Sequence, residues 1–488
     1  MSQPPWKRYV RWVLPAIVLL YFVLATLYAI YTPAWQAPDE PAHYNYVRTL
    51  AESHRFPILK PGDYPAAYLE EIKAAHFAPE MSIEPIRYEF HQPPLYYLLA
   101  VPLYSLFGGA LLPLRLLSVA LGALLLLVIH WTASELVPQR SFLALGAVAF
   151  VASLPMHLAM TAAANNDTLA ELLLATILLL TIRYLKAGEI RLLALLGITT
   201  GLGLVTKTSV YVALPLVLAA IAARCLWLDK TESLTDSLKS ASTYLLPAIA
   251  LALPWWLRNV AVYGGLDFLG LGRHDQVVVG QLRTAEFVAQ HGAGHLLRDF
   301  FVTTFHSLWG QFGWMGVLLD QRLYQALAIL SALALAGFLF WAVRAGRCWP
   351  AVPAWQRVAG GLLALSGLLT LASYLWYNTS FLQHQGRYLF PALVPISLAV
   401  ALGWREALRR DQALPLAFLA VLSAIFLALA GGLSTWLLLM LGATAGALAA
   451  RRFLPPAFDP LVHAVPYLLL VPLDLACLFL FIVPQLVV

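Results

Sequence analysis

Apolar runs close to 20 residues long recur from one end of this chain to the other. A helix of that length matches the bilayer's hydrocarbon core of about 30 Å. In that core backbone groups can pair only with each other. The repetition therefore restricts the chain to one architecture, an all-α polytopic membrane protein. Composition agrees, since 61% of the 488 residues are hydrophobic and only 11% are charged, whereas a soluble domain is roughly a quarter charged. The net charge of +6 is no nucleic-acid footprint, because the cations sit in short clusters between apolar runs. That is how membrane topology is written, so nucleic acid is excluded as a partner and membrane lipids are implied. Cys225, Cys348 and Cys477 lie in or beside apolar runs and lack metal-ligand spacing. The opening "MSQPPWKRYVRW" has cations before a span but no small-residue cleavage site after it, which predicts a retained first helix.

The spans expected are 12–31, 111–135, 141–163, 167–186, 190–206, 208–228, 242–263, 322–344, 358–377, 388–404, 413–429, 433–450 and 461–487, about 13 helices in all. One stretch decides their orientation. If "HQPPLYYLLAVPLYSLFG", from His91, crossed the membrane, the clusters Arg183/Lys186/Arg191, Arg405/Arg409/Arg410 and Arg451/Arg452 would all lie outside. If it does not cross, they share the side of Lys7, Arg8 and Arg11. The positive-inside rule prefers the second drawing. The stretch is also short for a crossing and carries Pro94 and Pro102. It is expected to be an interfacial or re-entrant helix on the outer face. Long outer loops then cover residues 32–110 and 264–321, and short outer turns hold Asn166 and Asp167, Lys207, and Arg387. Long connections are usually functional, so the outer face is where activity is expected. Residues 1–404 form the main body on this reading, and 405–488 supply additional C-terminal transmembrane helices.

The first outer loop opens "APDEPAHYNYV", with Asp39 and Glu40 ahead of Pro41. Pro41 suits the first turn of a helix, and an acid at its N-terminus would cap it and meet its dipole. Capping explains one acid better than two. Glu40 and His43 also make an E-x-x-H pair, but a carboxylate-bridged metal bundle needs a second such pair on facing helices, and the chain has none; no metal and no cofactor is implied. In "YEFHQPPLYY" the polar head Glu89–His91–Gln92 precedes an apolar helix and is placed to line a cavity at the membrane surface; the plainer reading is an aromatic belt. Asn166 and Asp167 in "NNDT" cap a span or face a polar cavity. Lys207 lies between two apolar runs, and Arg258 in "PWWLRN" ends one, where the dipole favours a cation. Arg387 in "HQGRYLFP", with His384 and Tyr388, begins a span, where the dipole disfavours it. A cation against its dipole asks for an anionic partner, and a lipid phosphate would serve.

Taken in order, "APDEPAHY", "HQPPLYYLLAVPLYSLFG", "NND", "LGITTGLGLVTKTS" and "LPWWLRNVAVYGG" resemble the type-C glycosyltransferase superfamily. The similarity is to protein O-mannosyltransferases, to lipid A aminoarabinose transferases, and to bacterial membrane proteins that also share "LWGQFGWMG" and "QGRYLFP". It covers about residues 10 to 400. A large soluble C-terminal domain of the kind found in oligosaccharyltransferases does not follow. The resemblance implies an inverting transfer of a hexose or pentose from a polyprenyl-phosphate-linked sugar to an acceptor hydroxyl, at the outer face of a bacterial inner membrane. The acceptor would be a protein, a lipid or a cell-wall glycan. By motif position Asp39 matches the catalytic aspartate, the general base that such an attack needs. Glu40 is then an orienting partner, since two neighbours at a helix start cannot flank one sugar about 5 Å apart as in a retaining hydrolase. Arg387, then Arg258 and Lys207, would hold the phosphate. His43, His91, Gln92, Asn166, Asp167, His384 and Tyr388 complete the substrate-binding set. One departure stands out: where the aminoarabinose transferases resemble this chain near Gln92, they carry a lysine. Two other classes compete. A lipid-linked sugar flippase would show inverted repeats and charges within its spans, and a non-catalytic assembly partner would tolerate loss of Asp39. No repeat is visible, and among in-span charges Asp474 has no evident role.

Overall fold

A computed structural model describes residues 6–138, 141–229, 234–347, 349–429 and 434–487. Cys348 and the side chains of Lys7, Arg8 and Arg11 lie outside the described residues. The chain is a bundle of helices, as the apolar runs require. Among the described residues, ten helices are long and apolar enough to cross a membrane: Trp12–Tyr31, Leu111–Leu136, Asp167–Ala187, Thr208–Leu228, Thr235–Tyr263, Gln321–Arg347, Ala354–Ser380, Gly386–Ala407, Arg410–Leu429 and Pro456–Leu486. Two expected spans are shorter apolar helices, Ile190–Leu204 and Thr435–Arg451, so the expected number of long spans is not reached.

The expected span at 141–163 is broken into Ser141–Ala152 and Pro155–Thr161, bent by 67°. Pro155 has no N–H to continue the ladder and its ring crowds the preceding turn. Ser153 donates its hydroxyl to Ala149 O at 2.6 Å just before the break. The bend turns His157 and Met160 towards the start of the Asp167–Ala187 helix, where His157 Nε2 lies 3.0 Å from Glu171 Oε2.

The stretch after His91 forms the helix Leu95–Leu106. Its 12 residues extend roughly 18 Å at 1.5 Å each, well under the thickness of the hydrocarbon core. A helix this short leaves the basic clusters on the side of the N-terminal cations, as the positive-inside rule prefers. A reporter fused after Lys186 or Arg410 is expected to read cytoplasmic, and one near Asp63 external. An external signal after Lys186 would contradict that orientation.

The bundle is held by close helix contacts and by one capped end. Gly337 and Gly403 let Gln321–Arg347 and Leu393–Ala407 touch backbone to backbone, since a Cβ at either would collide with the opposite chain. The C-terminal helices are built into the same body: Tyr28 of the first span donates to Asp474 O at 2.8 Å, and Tyr467 packs edge-on to Trp404. At the capped end the two long loops fold on each other. The first supplies Glu40–Ser53, Ala66–Ala74 and Leu95–Leu106; the second supplies Leu271–Val277, Thr284–His291 and Ala293–Trp309. The second also forms a two-stranded hairpin, Gln311–Phe312 with Val317–Leu318, a small exception to the all-α expectation. Its tip residue Trp314 donates to Trp35 O at 2.9 Å and stacks on Phe77. Arg273 donates to Leu59 O at 3.1 Å, and Arg258 donates to Pro57 O.

Candidate active site

The capped end is where the polar residues singled out above meet. Pro41 starts the helix Glu40–Ser53, and Asp39 is its N-cap. Asp39 takes a left-handed backbone, φ 68°, a conformation that costs a non-glycine residue about 1–2 kcal/mol. Asp tolerates it better than most residues do. The Asp39 carboxylate makes no capping hydrogen bond; its carbonyl accepts from the N–H groups of Ala42 and His43. The side chain is thereby free to face across the loop. Oδ2 accepts from Arg387 Nη2 at 2.7 Å and Oδ1 from the Tyr88 hydroxyl at 2.8 Å. Burial alone would raise the pKa of this carboxyl, but the Arg387 guanidinium, with His43 and Tyr88, overcomes it and holds the group at about 2. A quarter of the side chain (26%) stays open, enough for a reactant to reach it.

Glu40 does something different from its neighbour. It is fully buried and bound bidentately by Arg115, Nε to Oε1 at 2.8 Å and Nη2 to Oε2 at 2.6 Å. The backbone N–H groups of Trp35 and Ala164 also donate to it, each at 3.1 Å. Arg115 in turn donates to the carbonyls of Ala29, Thr32 and Pro33, which end the first span. Glu40 and Arg115 thus tie the loop's start to two other elements. Grouping Glu40 with Asp39 as a reacting pair is not what the geometry gives, because these four donors engage both of its buried oxygens.

Arg387 lies at the start of the Gly386–Ala407 span, 8% exposed. With Lys207, Asp167, Glu171, Tyr388 and Met160 it lines a small cavity of about 50 Å³. Lys207 pairs with Asp167 at the N-terminus of the Asp167–Ala187 helix. Burial would lower the lysine's pKa, but Asp167 more than compensates and raises it. Asn166 donates to Thr206 O at 3.1 Å and to Gln92 Oε1 at 3.3 Å, which joins the head of the Leu95–Leu106 helix to the same site. Glu89 is raised by burial, and its Oε2 has no hydrogen-bond partner among the described residues. His43 has its pKa lowered by burial and lies 2.8 Å from the Tyr97 hydroxyl through Nδ1.

Three of the expected residues are engaged elsewhere. Arg258 binds the Pro57 carbonyl and covers the Trp255 ring, so it pins the first loop. His384 packs edge-on to Phe300 of the Ala293–Trp309 helix. His91 faces His274, ring centres 4.5 Å apart, and burial lowers the two pKa values to about 4 and about 3. Tyr88, Arg115, His157 and Glu171 were missed from sequence. For Arg115 and Glu171 a signal existed, since each is a charge inside an apolar span. Among the described residues no group of three or more metal-ligating side chains is gathered.

Residues 91–257 match the family model for dolichyl-phosphate-mannose-protein mannosyltransferases. The chain superposes on ArnT from Cupriavidus metallidurans bound to undecaprenyl phosphate, with TM-score 0.50 and 15% identity over 97% of this chain and 77% of that one. The chain has the type-C glycosyltransferase fold. The apo form of the same ArnT is similar to the same degree, with TM-score 0.50, 14% identity and the same coverage. An Archaeoglobus fulgidus oligosaccharyltransferase in its apo form gives TM-score 0.49 and 12% identity over 97% of this chain and 56% of that one. No curated protein sequence matches the chain. Within this type-C fold, the matched family segment carries Gln92, Asn166, Asp167 and Lys207, while Asp39 and Arg387 come from either side of it.

Proposed function

We propose that the chain is a glycosyltransferase that moves a sugar from a polyprenyl-phosphate donor to an acceptor hydroxyl with inversion, at the outer face of a bacterial inner membrane. The observation that carries this reading is the Asp39–Arg387 pair, 2.7 Å apart, whose arginine also lines the small cavity shared with Lys207. An ion pair there sets a carboxylate and a phosphate-binding cation side by side, the two groups that the reaction needs. The ArnT structure of similar fold is bound to undecaprenyl phosphate, which supports a lipid phosphate as the anion.

In the free protein Asp39 is a weak base, because Arg387 holds its pKa at about 2. A donor phosphate competes for that guanidinium. As Arg387 turns to the phosphate, burial of Asp39 is less opposed and its pKa rises towards a useful range. The acceptor oxygen then bonds to the anomeric carbon, and its proton passes to Asp39. The bond from that carbon to the phosphate oxygen breaks, and its electron pair leaves with polyprenyl phosphate. Arg387 and Lys207 stabilise the charge on the leaving group. Base activation is thus coupled to donor binding.

Donor binding tests the reading. Arg387→Ala is expected to weaken polyprenyl-phosphate affinity by about 10- to 100-fold, the value of a charge-assisted hydrogen bond to phosphate. Lipid titration of purified, folded protein would measure it. Unchanged affinity would remove Arg387 from the donor site and leave Lys207 as its main cation.

A further inference from the structure

The end of the bundle opposite the Asp39–Arg387 pair carries a second charged cavity. Gly386–Ala407 fixes the relation, since Arg387 begins that helix and Arg405 nearly ends it. Arg344, Arg405, Arg409, Arg410 and Arg451 meet there around a cavity of about 380 Å³. Three acids, Glu406, Asp411 and Asp459, lie among them. The best ion pairs are Arg344 with Glu406 at 2.6 Å, Arg409 with Asp411 at 2.7 Å, and Arg451 with Asp459 at 2.7 Å. Arg410 has only a long approach to Asp459, 3.5 Å, and its Nε and Nη2 have no hydrogen-bond partner among the described residues. Arg451 is 3% exposed, and its buried Nη1 also lacks one. Buried guanidinium N–H groups left without an acceptor are costly, and an anion with several oxygens would satisfy them.

A free anion would account for the cations alone. Arg451, however, also lines a second cavity, an apolar groove of about 630 Å³ walled by Gln321–Arg347, Thr435–Arg451 and Asp459–Ala476. Along one wall the groove runs from Arg451 back to Met440. That distance is roughly 16 Å at 1.5 Å per residue, about half of the 30 Å hydrocarbon thickness. One buried arginine therefore joins a cationic pocket to an apolar channel one leaflet deep. That is the shape of a lipid with an anionic head.

We propose that this end of the bundle holds an anionic diacyl phospholipid, with its phosphate on Arg410 and Arg451 and one acyl chain in the groove. Basic pockets between membrane helices bind anionic head groups in this way. The lipid would brace Arg410–Leu429, Thr435–Arg451 and Asp459–Ala476 against the rest of the bundle. This gives the C-terminal helices a role separate from the sugar-transfer reading.

The test is native mass spectrometry of the full chain in nonionic detergent, titrated with dioleoylphosphatidylglycerol or dioleoylphosphatidylcholine. Phosphatidylglycerol is expected to be retained about 10-fold more tightly, because the choline cation of phosphatidylcholine offsets the charge that its phosphate brings to the arginines. Arg410→Gln should abolish that preference. Ala443→Trp, which fills the groove about two helical turns away from Arg451, should lower retention of phosphatidylglycerol by a similar factor. Equal retention of the two lipids, or full retention of phosphatidylglycerol in the folded Ala443→Trp protein, overturns the proposal. Competition by inorganic phosphate as effective as that by the lipid would reduce the site to one for a free anion. Preference for polyprenyl phosphate over phosphatidylglycerol would overturn the choice of a diacyl lipid.

Discussion

Asp39→Asn is expected to fold and to lose sugar transfer by about 100-fold or more, the usual cost of a missing acid–base group. Asparagine keeps the size of the side chain and adopts a left-handed backbone readily, so φ 68° at this position is no obstacle. Its amide oxygen can still accept from Tyr88 or Arg387. What it cannot do is take a proton from an acceptor hydroxyl. A helix cap is not at stake, because the Asp39 side chain makes no capping bond. The readout is transfer from a radiolabelled polyprenyl-phosphate-linked sugar, with the melting temperature of the variant checked alongside. A variant that folds normally and transfers at the wild-type rate would refute the base assignment.

Glu40→Gln and Arg115→Ala should show the opposite pattern, with their main effect on stability. Either change leaves the other member of a buried, bidentate ion pair without its charge partner. Breaking such a pair from one side costs roughly 3–5 kcal/mol. The loss would be felt at the start of the first loop and at the end of the first span, since Arg115 also holds three carbonyls there. The double variant Glu40→Gln/Arg115→Met should recover part of the loss by removing both charges. Thermal unfolding in detergent measures all three. A Glu40→Gln protein with the wild-type melting temperature and no transfer would move Glu40 into the chemistry.

The contrast between these neighbours marks where sequence reading stopped. Apolar runs dictated the span positions closely, because in lipid length and hydropathy leave few choices. The twelve-residue helix after His91 was legible for the same reason: it is too short, and the basic clusters disfavour a crossing. The bend at Pro155 was less so, since a proline within a span can kink it or be absorbed by neighbouring helices. The hairpin at 311–318 was hidden because four residues of strand carry no periodicity. At the site, Asp39 and Glu40 are adjacent in sequence, and helix geometry sends them to different partners. Those partners lie far away, Arg115 on one span and Arg387 on another. A cation against its helix dipole pointed to Arg387, whereas Arg115 called for reading a charge inside an apolar run as a tie to some distant acid. Arg258 had the right type and the right end of the bundle, yet a loop carbonyl claims it.

In the proposed mechanism a lipid phosphate takes Arg387 from Asp39 and so creates the base. The most direct measurement is a cryo-EM map of the purified chain with added polyprenyl phosphate. Phosphate density is expected within hydrogen-bond reach of Arg387 and Lys207, with the Asp39 carboxylate separated from the guanidinium and exposed. A lipid phosphate bound elsewhere, with the Asp39–Arg387 pair intact at its present 2.7 Å, would contradict it.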